Sequence, residues 1–318
     1  MTMPSNRWTP SVGIRNHAGG LLPPDAIFFA PPPPEIGEVL SAHTGLRGDG
    51  SAMSQRVPRR VVSFFALLGA AFGGFVGYGV AHGQWLGMLC GMVLGILLIG
   101  GPIFRRERMR NDCTYVGTQG VARFPVGTAR HSYPKGQILL FADAAGLQTA
   151  FLGRNMGTNF NYRWKDARGK TLYMLEGGYF GNKQNTDSEA AFHFARAAEE
   201  AWSRYLLPHV TEEIQSRGST RFVTRRGLSG EQYAVIGRGY LEIVTGEKRF
   251  RCDADAIDDI LVFQGWIVIR RKDATKRQVQ SFDGSHGICY LSYGTVVNVR
   301  VFLTLIKNAV GVAWRTGD

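Results

Sequence analysis

The sequence predicts a membrane-anchored, mainly β (α+β) protein: a two-helix transmembrane hairpin followed by two small β-barrels, each closed by a C-terminal helix. Three observations carry this. No Asp, Glu, Lys or Arg occurs between Val61 and Phe104, a window of 44 residues. Within it glycine recurs at every fourth position in two rows, Gly69, Gly73 and Gly77, then Gly87, Gly91 and Gly95. Beyond it, a series of short alternating stretches ending in a helical one occurs twice.

Residues 1–58 precede the window and contain "GGLLPPDAIFFAPPPPEIGEVL" and "GLRGDGSAMSQ". Pro31 to Pro34 remove four backbone donors and favour a locally extended left-handed helix. No period of 2 or 3.6 is sustained, so the segment reads as a disordered tail. Phe28 and Phe29 are then candidate anchors for a partner that reads proline-rich sequence. Met53 offers a second translation start, whose use would leave residues 1–52 untranslated. Sixty residues precede the first apolar run, which is not the layout of a secretory signal.

The hairpin is expected over residues 59–110. A spanning helix needs about 20 apolar residues, and residues 61–81 and 85–104 supply 21 and 20. The polar "HGQ" between them reverses the chain, with Trp85 at the boundary. Arg59 and Arg60, with Arg56, flank one side; Arg105 and Arg106, with Arg108 and Arg110, flank the other. Positive flanks stay cytoplasmic, which places both termini inside. Glycine costs roughly 1 kcal/mol against alanine in a helix in water, but in lipid small residues let backbones approach closely. The two rows therefore read as a glycine zipper, packing within one chain or between copies. No charge inside the window marks an ion path.

The body then divides into residues 111–212 and 213–312, with a short tail at 313–318. In the first half "CTYVGTQGVARFPV" reads as a hairpin bent at Thr118–Gln119–Gly120, and Asp166–Ala167–Arg168–Gly169 as a turn. In "TDSEAAFHFARAAEEAWSRYLLPHVTEEIQ", Thr186 and Glu189 suit a capping box. Phe194, Ala198, Ala201, Trp202 and Tyr205 form one apolar stripe, and Pro208 is expected to kink or end the helix. The second half repeats the order, with hairpin tips at Gly246–Glu247 and Gln264–Gly265. Val297, Val301, Leu305 and Val310 place a closing helix at its end.

Strands closed by a helix, twice, resemble the bacterial form of the pleckstrin-homology-like (PH-like) fold. The order "RRGLSGEQYAVIGRGYLEI…CDADAIDDILVFQGWIVIRR…NVRVFLTLI" is similar to an uncharacterised family of bacterial membrane-anchored proteins with paired PH-like domains, over roughly residues 107–312. The resemblance implies binding of lipid headgroups, peptides or partner proteins, and a place in the bacterial inner membrane. It carries no catalytic residue onto this chain.

The motifs that mimic catalytic or metal sites are incomplete. "GRGYLE" lacks the third glycine and following helix of a dinucleotide fingerprint. "DADAIDD" has Asp258 and Gln264 where a calcium loop needs glycine and glutamate, so solvated acids around a turn are the better reading. Ser229, preceded by Gly227 and Leu228, matches a nucleophile elbow only in part, and its β-rich context is wrong for that strand–turn–helix device. The seven histidines are scattered without metal-ligand spacing, and the sequence implies no cofactor. Cys90, Cys113, Cys252 and Cys289 form no CxxC pair and read as reduced, mostly buried thiols.

Charge is the remaining signal. The chain carries a net +12, of which residues 1–60 hold +2 and residues 105–318 the other +10. No basic helix interleaved with aromatics points to nucleic acid. Arg270, Arg271 and Lys272 crowd one loop with Lys276 and Arg277, a candidate site for anionic lipid headgroups. Arg225 with Arg226, and Arg249 with Arg251, form smaller groups. The expected function is therefore non-enzymatic binding or scaffolding at the lipid bilayer. The partner would be an anionic lipid or a protein. The alternative is an oligomeric membrane component, such as a transport or secretion accessory, assembled as a homo-oligomer through its glycine rows.

Overall fold

The computed structural model describes residues 8–46, 112–125, 136–154, 157–179, 186–227, 230–274 and 287–317. These form two units of the same order, four strands, then three strands, then a helix. In the first unit β1 (Val39–Thr44), β2 (Asp112–Gly117), β3 (Gly120–Pro125) and β4 (Gln137–Leu140) make an antiparallel sheet in that order. A second sheet follows, β5 (Gly146–Arg154), β6 (Gly157–Lys165) and β7 (Thr171–Tyr179), and then helix α1 (Thr186–Arg217). The second unit repeats this with β8 (Ser219–Gly227), β9 (Gly230–Gly237), β10 (Tyr240–Thr245) and β11 (Lys248–Asp253). Its three-stranded partner is β12 (Ile257–Phe263), β13 (Trp266–Arg271) and β14 (Ile288–Ser292), extended by the short β15 (Arg315–Thr316) on β12. Helix α2 (Val299–Leu305) closes the unit and runs on through a wider π turn to Val310.

Each unit owns an apolar core that both its sheets and a helix line. In the first, Val116, Val121 and Leu139 meet Phe160, Tyr162 and Trp164 under Phe194, Ala198 and Trp202 of α1. In the second, Phe222, Ile236 and Ile243 meet Ile260, Ile267 and Leu291 under Val299, Phe302 and Ile306. Strand alternation decides which residues enter, because successive side chains point to opposite faces. The tips follow turn chemistry: Gln264 and Gly265 both have positive φ, 46° and 80°, the two-residue turn whose twist matches a hairpin. Asp166 closes the other tip by accepting from the N–H groups of Arg168 and Lys170 at 2.9 and 2.8 Å.

Several expectations need correction. The paired barrels are absent: the described strands form four separate open sheets, and none closes on itself. No helix among the described residues is long and apolar enough to cross a membrane, and the body they form is mostly β with two α-helices. The membrane-anchored fold class, and the multi-pass inner-membrane location drawn from it, are therefore withdrawn. The two apolar runs, the six glycines of the rows, and Arg59, Arg60, Arg105 and Arg106 lie outside the described residues.

The proline-rich segment is not a disordered tail over residues 8–46. Pro34–Ile36 form a 3-10 turn, and β1 follows it. Because Thr44 pairs with Cys113, the first unit joins strands that lie on either side of residues 47–111 in the sequence. The first unit thus begins well before residue 111. Trp8, Phe28 and Ile36 pack against Ala42, Cys113, Tyr115 and Ala122 on the sheet face opposite the helix. Helix α1 also runs past Pro208 to Arg217, because each end serves a different core. Trp202 belongs to the first core, while Val210 and Ile214 belong to the second. Packing on both sides offsets the hydrogen bond that proline removes.

Candidate binding surface

Phe222, Ala234, Ile243 and Phe250 enter the second core, so their strand neighbours face outward. One outward row across the sheet is Arg221, Val235, Glu242 and Arg251. The next is Val223, Tyr233, Val244 and Arg249. Diagonal neighbours meet on this face. The guanidinium carbon of Arg221 lies 3.7 Å from the centre of the Tyr233 ring, and that of Arg251 lies 4.1 Å from Tyr240. Arg249 sits 3.5 Å from the Glu242 carboxylate and Arg251 sits 3.4 Å from Asp253, both long contacts. A guanidinium held over a ring is fixed by its flat face, while its N–H fork points where carboxylates and phosphates are read. Arg221, Arg249 and Arg251 are all exposed.

The two units differ here. On the first sheet the corresponding outer face is apolar, with Ala42, Cys113, Tyr115 and Ala122, and it is covered by residues 8–33. That arm is tied down at several points. The N–H of Ala42 donates to the carbonyl of Arg15 at 3.0 Å, and Tyr115 donates its hydroxyl to the carbonyl of Ala30. His17 is held between the hydroxyls of Ser41 and Thr114, at 2.8 and 2.9 Å from its two ring nitrogens. Burial, with His43 and His193 nearby, lowers its pKa well below the usual histidine value.

The residues expected to bind anionic headgroups are placed only in part. Arg270 lies in β13 opposite Asp259, Arg271 pairs with Asp273, and Lys272 is exposed. Asp259 also grips Arg315 through two oxygens, at 2.7 to 3.2 Å, which holds its carboxyl below the ordinary range. Described cations there are thus interleaved with acids. Lys276 and Arg277 lie outside the described residues. Asp255 lies within a 3-10 turn, Ala254–Ala256, with Asp253 before it and Asp258 after it, and no group of three metal-ligating side chains occurs among the described residues. Cys113, Cys252 and Cys289 are buried and outside any disulfide; Cys90 falls outside the described residues.

A second polar group lies where the units meet. Glu199 of α1 is 6% exposed, and burial pushes its carboxyl up to about 7 against the pull of Arg300 and Arg196. Tyr162 and Tyr293 lie within its electrostatic reach, and burial raises both phenols. Arg300 of the second unit stands 3.6 Å from Glu200 of the first. Beside them Asn298 accepts from Leu147 N–H and from the Trp202 indole, at 2.8 and 2.9 Å. These groups hold the units together.

Sequence reading singled out Arg249 and Arg251 but missed Arg221, Tyr233 and Tyr240. The signal was there in "TRFV", where arginine alternates with a core phenylalanine, but it needs the register of four strands to become a surface. No family model matches the chain, and no characterised protein matches it in sequence.

Proposed function

We propose that the chain is a non-enzymatic binding or scaffolding protein made of two PH-like units, with a protein partner as its ligand. The four-strand, three-strand, helix order in both halves supports the PH-like reading. One observation carries the binding reading: the outer face of the first sheet already holds a polypeptide segment, the chain's own arm, which buries Phe28 there and bonds through its main chain at the edge strand β1. A sheet face and edge of this kind recognise extended chain by pockets and main-chain bonds. The perturbed ionisable groups described above, His17, Glu199, Tyr162 and Tyr293, serve packing in this reading rather than chemistry.

The test is reciprocal co-purification. The full chain is tagged in its own cells, the complex is cross-linked gently, and the partner found is tagged in turn. The reading expects one protein recovered in near-stoichiometric amount in both directions. Recovery of the chain alone, together with turnover of a simple ester, amide or phosphate substrate, would contradict it.

A further inference from the structure

We infer that the outer face of the second unit's four-stranded sheet, carrying Arg221 over Tyr233, Arg251 over Tyr240 and Arg249 beside them, docks an extended acidic segment of a partner protein. This rests on the binding reading above and gives it a site. Two independent features point there. The first unit shows what its equivalent face does, since another segment of the chain lies over it and buries Phe28 against Tyr115 and Ala122. The second unit offers the same geometry with different chemistry. Where the first has Cys113, Tyr115 and Ala122, the second has arginines in cross-strand register beside tyrosine rings.

That change of chemistry selects the occupant. An apolar face takes the apolar arm; a face of guanidinium groups takes carboxylates, which accept two parallel N–H bonds from each fork. Glu242 lies largely under this layer, its side chain 15% exposed, so it orients Arg249 more than it repels a ligand. The long 3.5 and 3.4 Å contacts of Arg249 and Arg251 are readily exchanged for shorter ones to an incoming carboxylate. Strands in this sheet run six residues in β10 and β11. A peptide of about eight residues, roughly 26 Å when extended, therefore covers the face.

The experiment titrates the full chain into fluorescent poly-glutamate of about eight residues and reads anisotropy at several salt concentrations. The expected result is saturable, salt-sensitive binding that falls at least about tenfold in R221Q/R249Q/R251Q, the loss of one charge-assisted contact or more. R196Q/R204Q, on exposed positions of α1, should bind as the parent does. R221K and R251K keep the charge but lose the planar fork, and an intermediate loss in them supports the stacked geometry. Melting curves of all variants confirm that each is folded. Absent binding, or equal loss in both multiple variants, overturns the inference. So does tighter binding of an oligothymidylate of equal charge, which would make the occupant a nucleic acid. If a reciprocal protein partner is recovered while poly-glutamate fails, the site is wrong and the binding function stands. If both fail, the function falls too.

Discussion

The indole N–H of Trp202 donates to the side-chain oxygen of Asn298 at 2.9 Å, joining the helix of the first unit to the loop that starts the last helix of the second. The same oxygen accepts from Leu147 N–H at 2.8 Å, and Asn298 returns its own N–H to the Leu147 carbonyl at 2.8 Å. Asn298 does this from a left-handed backbone, φ 58° and ψ 41°, a region asparagine tolerates better than most residues. Replacing it by alanine strands two donors, one of them on a tryptophan that is 1% exposed. N298A should lose about 2–4 kcal/mol in urea unfolding, since an unsatisfied buried donor costs about 1–3 kcal/mol. N298G should lose about 1 kcal/mol less, because glycine adopts this backbone without strain. Equal losses would contradict the role given to the backbone.

Glu199 makes the joint sensitive to pH. Its carboxyl is raised from 4.5 to about 7 by burial, so the folded chain holds a proton that the unfolded chain has released. Stability contributed by this group is therefore full below pH 4.5, falls as pH rises from 4.5 to 7, and stays low above. E199Q mimics the protonated form. It should leave stability unchanged at pH 4 and raise it by about 3 kcal/mol at pH 8, at about 1.4 kcal/mol per unit. A loss at pH 8 instead would show that the carboxylate is paired, not merely buried.

The arm responds in the opposite direction. His17 titrates well below 6.5 in the fold, so its contribution is present above 6.5 and is lost as pH falls through the lowered value. Hydrogen exchange of residues 8–33 should therefore accelerate on going from pH 7 to pH 5, after correction for intrinsic rates, while β12 to β14 stay protected. In H17A the arm should exchange fast at both pH values.

Phe28 is the main apolar plug of the arm, 1% exposed and 5.8 Å from the Tyr115 ring, centre to centre. F28A should cost about 3 kcal/mol, the usual loss for a buried phenylalanine. F29A, at a half-buried position beside it, should cost less than half as much. Thermal melts of the two variants decide this. Matching small losses would return the arm to a loosely held tail.

Hairpin tips were readable because glycine and its neighbours announce them locally: 118–120, 166–169, 246–247 and 264–265 all fall between paired strands. The core stripe of Phe194, Ala198 and Trp202 was readable for the same reason, a period that a helix demands. What escaped was non-local. "VLSAHT" gives no strong alternation and stands beside prolines; its partner, Cys113 to Gly117, lies beyond the uncharged window. Pro208 read as a kink or a stop, since a propensity knows nothing of the two cores that hold α1 on either side of it. The candidate surface depends on the same kind of information. Arg221 and Arg251 are thirty residues apart and become neighbours of one row only through the register of β8 to β11.

Hydroxyl-radical footprinting of the full chain, with and without the poly-glutamate probe, bears most directly on an occupied first face and a receptive second one. Tyr115 and Phe28 should stay unoxidised in both samples, and Tyr233 and Tyr240 should be oxidised in the free chain and shielded once the probe is saturating. Unchanged oxidation of Tyr233 and Tyr240, or exposure of Tyr115 in the free chain, would contradict that division of the two faces.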